Sequence, residues 1–305
     1  MTSSGKESAH TGLNPTRPTL CLYHDDPDGC CAAAIVRRAL GDGVHLHPLE
    51  IGDAIPWEAV EGIGQIVLLD YSLPEEEMRR LAVGRKLVWI DHHKTALAGL
   101  TEAMAGVPGE RSIDAAACVL AWRTFFAGQA PPLAVLLIGD RDIWQMSHPE
   151  TRTFSEGLYQ EDIQPANDGL WKPLLDDDRA RVNQLVELGQ ILYAVRLKRI
   201  KDVVARYGFP GFFEGHRTLA VNHPGNGDMG EYIRQTGYEL AYCYVEVIRQ
   251  DQLQTVVTLY SDQVDVSEIA RKYGGGGHRG AAGFQFRRAD DPFPLESAAS
   301  LGPSP

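Results

Sequence analysis

The sequence lacks any apolar run that approaches the roughly 20 residues a helix needs to cross a bilayer. Its densest apolar runs, "IVLLDY" and "LAVLLIGD", are both interrupted by an acid. The first residues, "MTSSGKESAHTGLNPTRPT", lack the apolar core of a secretory signal peptide. These absences argue against a membrane protein and against a secreted one, and we expect no membrane partner.

Cysteine and net positive charge are also scarce. The chain has five cysteines, an odd number, of which Cys30 and Cys31 are adjacent, and their spacing forms neither a disulfide framework nor a zinc-finger motif. A reducing cytoplasm is therefore the expected compartment. The formal net charge of −12 argues against a surface that grips long duplex nucleic acid, which needs basic stripes. It leaves room for a small anionic ligand held by a local basic site or by bound cations.

The sequence does contain a regular alternation of short apolar runs and helical segments in its first half. Strands that are apolar throughout and separated by helices indicate a parallel sheet covered on both faces. The fold class predicted for this part is α/β, a parallel sheet with helices on both faces. The predicted strands are "TLCLYH", "VHLHPL", "QIVLLDYS" and "KLVWIDHH", and the predicted helices are "GCCAAAIVRRAL", "EEEMRRLAV", "AAACVLAWRTFF" and "PLAVLLIGDRDIW".

The second half of the chain has a different pattern. A polar region precedes a long segment with apolar residues at helical spacing, and "GFPGFFEGH" then interrupts that helix. The remaining segments, among them an antiparallel hairpin, predict a second, smaller α/β domain. The predicted organisation is a disordered tail over 1–18, a first domain over 19–178 that ends in the polar region 147–178, a helical linker over 179–215, the smaller domain over 216–288 and a second disordered tail over 289–305.

Acids and histidines cluster directly after the predicted strands and helices of the first domain. Ligands of an open parallel sheet bind beyond the carboxyl ends of its strands, so these side chains are expected to converge. Packed carboxylates and imidazoles need compensating charge, and this ligand set suits Mn²⁺, Mg²⁺ or Fe. Each cluster alone also fits a helix cap or a polar turn, and it is the recurrence that favours a metal site. The clusters are His24-Asp25-Asp26-Pro27-Asp28, Asp70, Asp91-His92-His93 and Asp140-Arg141-Asp142.

The first cluster allows a prediction about direction. If the chain stays extended past "LCLY", His24, Asp26 and Asp28 share one side and Asp25 points to the other. Pro27 is expected to keep the chain out of a helix, so that the next helix starts only after this cluster. The cluster would then supply three ligands and one bystander.

Four motifs of the first domain, "HDDPDG", "LLDYS", "WIDHHK" and "GDRDIW", resemble in order and setting those of the DHH phosphoesterases, which are named for the Asp-His-His triplet. The segment "VDVSEIARKYGGGGHRGAAGF" resembles the signature of the DHHA1 domain that often follows. The resemblance covers roughly residues 19–288. It implies an N-terminal DHH domain, a C-terminal DHHA1 domain and a two-metal site, usually for Mn²⁺, that cleaves phosphate esters or anhydrides between the domains. The chain looks similar to nanoRNase or oligoribonuclease-like members, which are related to RecJ-type exonucleases.

The resemblance also implies individual roles. His93 would face the substrate phosphate or the leaving group, as a general acid or an electrostatic stabiliser. Asp91 would orient a ligand through a hydrogen bond. Because they are neighbours at a strand end, His92 and His93 are expected to point to opposite sides. The implied metal ligands are His24, Asp26 and Asp70 for one ion and Asp28, Asp70, His92 and Asp140 for the other. His24 lies two residues before Asp26, whereas several branches of the family place this histidine four residues before.

A run of four glycines follows a predicted helix of the smaller domain. Glycine-rich backbone lets N–H groups converge on an anion, and an arginine can bind a phosphate with two parallel bonds. The alternative is a flexible connection between a helix and a strand. The resemblance implies that the phosphate or nucleotide end of the substrate binds here, to Gly274, Gly275, Gly276, Gly277, His278 and Arg279.

Two tryptophans of the first domain have two interpretations. Trp144 and Trp171 are interpreted as packing residues, and the alternative is stacking on a nucleobase. The cysteines are interpreted as structural.

These observations predict a two-metal-dependent phosphoesterase acting on phosphodiester or phosphomonoester bonds of small nucleotides. Short oligoribonucleotides, cyclic mononucleotides, cyclic or linear dinucleotides and adenosine 3′,5′-bisphosphate fit best. The expected cofactors are two divalent ions, with Mn²⁺ first and Mg²⁺ or Fe as alternatives. The expected partner is a small nucleotide or a short RNA, with no long duplex, and a homodimer is one possible assembly. Two other functions stay open, a catalytically silent protein that binds nucleotides or RNA ends and an enzyme like inorganic pyrophosphatase.

Overall fold

The structure, a computed structural model, describes residues 11–50, 52–94, 101–249 and 252–287 and the backbone of 296–297. The chain divides into two compact units, residues 1–193 and 194–305, and the division falls within one long helix. The predicted disordered tails lie outside the described residues, apart from 11–18 and 296–297.

The first unit contains a four-stranded parallel sheet. Alternate side chains of its strands enter two separate cores, so that Cys21 and Tyr23 lie on one face and Leu20 and Leu22 on the other. The predicted parallel sheet, buried on both faces, is confirmed. The strands are β1 (Thr19–His24), β2 (Val44–Leu49), β3 (Gln65–Leu69) and β4 (Lys86–Ile90), arranged in the order β2-β1-β3-β4.

Helices cover both faces of this sheet. They are α1 (Pro27–Leu40), α2 (Trp57–Val60), α3 (Glu75–Ala82), α4 (Glu102–Ala105), α5 (Ala117–Phe125), α6 (Leu133–Asp142), α7 (Thr151–Leu158), α8 (Asp168–Leu175) and α9 (Arg179–Tyr207), the last of which continues into the second unit. The core that contains Tyr23 is built with α1 and α5 to α9, and the opposite core with α2 to α4. None of the described helices is both long and apolar enough to span a bilayer.

Helix α1 begins earlier than the sequence predicts. The Asp26 side chain caps it by accepting a hydrogen bond from the Gly29 N–H at 2.9 Å, and Pro27 occupies the first helical position. Proline is favoured there because its missing N–H has no partner in the first turn of a helix. Asp28 therefore lies in the first helical turn, and the prediction that it shares one side of an extended chain with His24 is wrong.

Two segments for which the sequence predicts no helix or strand take part in the packing of the first unit. Residues 11–18 pack on the first unit, because Leu13 is fully buried and the Asn14 N–H donates to the side chain of Gln65 at 2.7 Å. The polar region 147–178 contains α7 and α8, whose apolar residues face the core. Short helices with polar exposed faces give too little periodicity to be recognised in sequence.

The second unit is a seven-stranded sheet with two further helices. Its strands are β5 (Gly208–Phe213), β6 (His216–Asn222), β7 (Leu240–Arg249), β8 (Gln252–Tyr260), β9 (Gly276–His278), β10 (Ala281–Arg287) and β11 (Glu296–Ser297), and its helices are α10 (Gly227–Gln235) and α11 (Val266–Lys272). The order is β11-β5-β6-β7-β8-β10-β9, and β6 and β7 pair in parallel while the other described neighbours are antiparallel. The predicted smaller α/β domain is confirmed, with β5 where only a helix break was expected.

Candidate metal centre

Asp70 lies at the centre of the side chains that gather at the carboxyl ends of β1, β3 and β4. Its φ of +52° places it in the left-handed region, which few residues other than glycine adopt, and its N–H donates to the Ile90 carbonyl at 2.9 Å. The side chain is buried, and its Oδ1 forms an ion pair with His92 Nε2 at 3.1 Å but accepts no hydrogen bond of good geometry. A buried carboxylate oxygen without a donor is costly, and a cation would remove that cost.

The first ligand group consists of His24, Asp26 and Asp70. One potential ligand atom from each lies within 4.8 Å of the other two. The Nδ1 of His24 is 3.2 Å from Asp26 Oδ2 and 3.6 Å from Asp70 Oδ2. Its hydrogen bond to Asp26, and then that to Asp70, raise the pKa of His24 to about 10. All three predicted ligands of this ion are thus brought together, including His24 with its unusual spacing.

The second group consists of Asp28, His92 and Asp142. The Nε2 of His92 lies 3.2 Å from Asp142 Oδ2 and 3.8 Å from Asp28 Oδ2. Asp28 is held rigidly, because its two oxygens accept hydrogen bonds from the N–H groups of Ala117 and Cys118 at 2.7 and 2.8 Å, at the N-terminus of α5. Asp28 therefore serves both as a candidate ligand and as an anchor of that helix.

The electrostatics of the second group are those of a site suited to bind cations. Burial, followed by the charges of Asp70 and Asp142, raises the pKa of Asp28 well above its usual range. Burial also raises the pKa of Asp142 to about 7. For His92, burial favours the neutral ring, yet the carboxylates of Asp70, Asp28 and Asp142 together raise its pKa to about 9. Divalent cations would offset the charge that raises these pKa values, and the oxygen and imidazole donors of the site fit ions such as Mn²⁺ or Mg²⁺.

His93 lies on the same side as His92. The ring centroids are 4.6 Å apart, and His93 Nδ1 is 3.8 Å from Asp70 Oδ1. The prediction that the two rings point to opposite sides is wrong, because β4 ends at Ile90 and the alternation of a strand no longer applies.

Asp91 is expected to orient a metal ligand, but the ring that it contacts is that of His93, which is not among the predicted ligands. Its Oδ1 lies 2.7 Å from His93 Nδ1 and accepts the N–H of His92 at 2.7 Å, while Ser72 donates to its other oxygen. Burial opposes ionisation of Asp91, but these contacts, first that of His93, keep its pKa below the usual range. The same hydrogen bond raises the pKa of His93.

Asp140 belongs to none of the three ligand groups found among the described residues, and Asp142 lies in the group of Asp28 and His92 instead. The Asp140 carboxylate accepts hydrogen bonds from Ser147 N–H and Oγ at 2.8 and 2.6 Å, from His148 N–H at 3.2 Å and from the Thr151 hydroxyl. Burial favours its neutral form, but these donors hold the pKa of Asp140 below its usual range. The sequence signal was present, because "GDRD" contains two acids, but only the structure shows which one faces the centre.

Most glycines of the run are required by the backbone conformation and close packing of the second unit. Gly274, with a φ of +77°, ends α11, and a Cβ on Gly275 would lie 2.1 Å from a carbonyl oxygen of β10. A Cβ on Gly277 would lie 2.6 Å from the β10 backbone, and the φ of this residue is +139°. Gly276 has open space around it. His278 and Arg279 are exposed, and the role of the six residues in binding substrate stays a prediction.

Replacing Gly277 by alanine is expected to lower the free energy of unfolding by about 2 kcal/mol or more, because the side chain meets backbone and the φ is strained. The matched Gly276→Ala variant is expected to unfold like the wild type. Thermal or urea unfolding followed by circular dichroism measures both. Equal stability of the two variants would contradict the observed β9–β10 pairing.

Comparison with known proteins gives one curated relative. A scan against protein-family models found no match. The chain is 25% identical over 255 residues to an uncharacterised protein of Acanthamoeba polyphaga mimivirus, an alignment that covers 78% of this chain and 56% of that protein. The chain therefore spans little more than half the length of this relative.

Two solved structures share the architecture. A DHH domain from a member of a ribosomal-protein family superposes with a TM-score of 0.60 and 15% identity, over 90% of this chain and 84% of that one. The pGpG-specific phosphodiesterase PggH of Vibrio cholerae superposes with a TM-score of 0.51 and 15% identity, over 89% of this chain and 94% of that one. The chain therefore has the fold of the DHH-family proteins, and the resemblance carried by its motifs is confirmed at the level of the fold.

Proposed function

We propose that the protein is a metal-dependent phosphoesterase that holds two divalent cations at the carboxyl ends of its parallel strands. The observation that carries the proposal is the position of Asp70, which belongs to one ligand group with His24 and Asp26 and to another with His92 and His93. A carboxylate shared between two such groups is suited to bridge two ions. The unsatisfied Oδ1 of Asp70 supports the same role.

In this proposal, each ion has its own set of ligands, and Asp70 is common to both sets. One ion would be held by His24, Asp26 and Asp70, which form one group. The other would be held by Asp28, His92 and Asp142, which form another group, together with Asp70, whose Oδ1 lies 3.1 Å from His92 Nε2. When bound, such a pair of cations neutralises phosphoryl oxygens and makes a hydroxide available near neutral pH. Mn²⁺ is the ion that we propose first, because it accepts carboxylate and imidazole ligands together.

His93 is the residue proposed to act on the phosphoryl group or the leaving group. Asp91 holds its Nδ1 at 2.7 Å, which leaves Nε2 to face a substrate, and the His93 side chain is 42% exposed. Because Asp91 also raises the pKa of His93, it favours the protonated ring, in which Nε2 carries a proton that it can donate to an oxygen. Ser72 fixes Asp91 in turn, so the histidine is held in one orientation.

The proposed substrates are small nucleotides, namely short oligoribonucleotides, cyclic mononucleotides, cyclic or linear dinucleotides or adenosine 3′,5′-bisphosphate. The net charge of −12 disfavours long duplexes, and PggH, which shares the fold, is specific for the dinucleotide pGpG. In the second unit, exposed His278 and Arg279 offer donors for a terminal phosphate.

A substrate panel tests this function. The purified full-length protein is incubated with Mn²⁺ and short RNA, cyclic and linear dinucleotides, adenosine 3′,5′-bisphosphate, pyrophosphate or long duplex DNA. We expect hydrolysis of at least one small nucleotide and none of the duplex. Hydrolysis of pyrophosphate alone would favour the pyrophosphatase alternative, and nucleotide binding without any hydrolysis would favour a catalytically silent binder; either result overturns the proposal.

The affinity for Mn²⁺ is expected to rise as the pH increases from about 6 to 9. The reason is that binding must displace the protons held by Asp142 and His92, whose pKa values in the metal-free protein are raised to about 7 and about 9. Calorimetric titration of Mn²⁺ in buffers of different ionisation enthalpy measures the protons released, and near pH 7 we expect more than one per chain. Asp142→Asn, as the control, releases fewer, whereas an affinity independent of pH contradicts the expectation.

A further inference from the structure

A cavity of about 280 Å³ lies beside the candidate metal centre, within the first unit. Asp26, Asp28 and Asp142 form one side of its lining, and Trp144 and Tyr159 contribute aromatic rings to the same cavity. The volume is just below the roughly 300 to 1,000 Å³ of drug-sized ligand pockets, which suits one ring-bearing group rather than a long chain. A group bound in this cavity is therefore adjacent to the cations that Asp26, Asp28 and Asp142 are proposed to hold.

Trp144 is held in this cavity by its backbone and by arginines. The residue is 39% exposed. Its backbone φ of +56° is unusual for a bulky residue. The Arg141 guanidinium lies 4.2 Å from the indole centroid, and that of Arg152 lies 5.7 Å away. The strained backbone of Trp144 persists only because its surroundings impose it.

Trp171, by contrast, is buried and donates its indole N–H to backbone carbonyls, so for Trp171 the interpretation as a packing residue is confirmed.

Asp140 imposes the backbone conformation of Trp144 through the hydrogen bonds that it accepts from the following turn. Its carbonyl accepts the Gln145 N–H at 3.0 Å, and its carboxylate accepts from Ser147, His148 and Thr151. These bonds close the turn that follows α6 and carries Trp144. Asp140 is thus a positioning residue for the turn, which explains why a buried acid of the fourth motif stays outside the ligand groups.

We propose that this cavity binds the nucleobase of the nucleotide whose phosphate lies at the metal centre, with the base stacked on Trp144. Aromatic rings and guanidinium planes are the usual stacking partners of unpaired bases, and both are present here as Trp144 and Arg141. The inference rests on the proposed function and narrows its substrate class. The substrates are phosphate esters with a base next to the scissile phosphate, rather than pyrophosphate or polyphosphate.

A pair of substrates tests the inference by kinetics. The wild type is compared on a dinucleotide and on its abasic analogue, which has the same scissile bond. In Trp144→Ala the preference for the base-bearing substrate is expected to fall about 10- to 100-fold, through KM, while Trp144→Phe keeps most of it. Trp57→Ala is the matched control. The guanidinium of Arg80 lies 3.7 Å from the ring centroid of Trp57, as that of Arg141 lies over Trp144, but Trp57 lines a different cavity. An undiminished preference in Trp144→Ala would overturn the inference.

Fluorescence provides a second readout that needs no turnover. Titration with adenosine or guanosine monophosphate is expected to quench the tryptophan emission of the wild type and of Trp57→Phe, and this quench is lost in Trp144→Phe. Failure of all hydrolysis together with a Trp144-dependent quench would refute the proposed function but support the base site. Hydrolysis of nucleotides with the same quench in Trp144→Phe as in the wild type would refute the base site alone.

Discussion

The Asp142→Asn variant is expected to lose hydrolysis by about a thousand-fold or more, since losing a ligand of one ion removes several kcal/mol of charge stabilisation. Its stability is expected to stay equal or to increase. Burial, opposed by the charge of His92 and reinforced by those of Asp70 and Asp26, raises the pKa of Asp142 to about 7, so its negative charge is on balance a cost in the metal-free protein. The amide keeps the shape and removes the charge. Turnover at saturating Mn²⁺ and urea unfolding of the metal-free protein measure the two effects.

Asp140→Asn is the matched control, two residues away. Its amide nitrogen would replace one of the oxygens that accept from Ser147, His148 and Thr151. We expect a loss of about 2 to 3 kcal/mol in the free energy of unfolding, because charged hydrogen bonds are lost and buried donors are left unpaired. Bound metal is expected to remain. The reverse pattern, with stable but inactive Asp140→Asn and active Asp142→Asn, would return the ligand role to Asp140.

Replacing His93 by glutamine is expected to lower kcat by about 10²- to 10⁴-fold, the usual contribution of a general acid, with little change in KM. The proton that Asp91 retains on His93 is lost as the pH rises through its raised pKa, so this contribution to the wild-type rate falls at high pH. Steady-state kinetics over pH, together with metal analysis, measures the effect.

Metal content separates two roles for His93, because its ring also lies in a group with Asp70 and His92. We expect His93→Gln to bind as much Mn²⁺ as the wild type. A variant that has lost an ion would make His93 a ligand, and an unchanged kcat would remove it from the reaction.

The strand ends are the part of the site that sequence predicts well. Apolar strands place His24, the last residue of β1, and Asp70 and Asp91, which directly follow β3 and β4, at one edge of the sheet, because parallel strands share their direction. The local pattern suffices there, since each acid directly follows its strand.

The fourth motif is harder, because it lies on a helix end. Asp140 and Asp142 close α6, and two residues along a helix differ in direction, so spacing alone cannot choose between them. The hydrogen bonds that occupy Asp140 come from a turn and from α7, which the sequence does not reveal. Local strain is equally invisible, as at Trp144, whose backbone is set by its neighbours.

The directions of His92 and Asp28 show the same limit. Both expectations assumed that the extended chain continues past the strand, yet β4 ends at Ile90 and α1 already begins at Pro27. Element boundaries depend on capping contacts such as that of Asp26 with Gly29, and an error of one or two residues in a boundary changes the predicted direction of the side chains beside it.

The most direct test of the two-metal proposal is anomalous diffraction at the manganese edge from crystals grown with Mn²⁺. The proposal predicts two peaks on either side of the Asp70 carboxylate, one in contact with His24 and Asp26 and the other with His92 and Asp142. No peak at Asp70, or a single peak that leaves one of these groups without an ion, would contradict it.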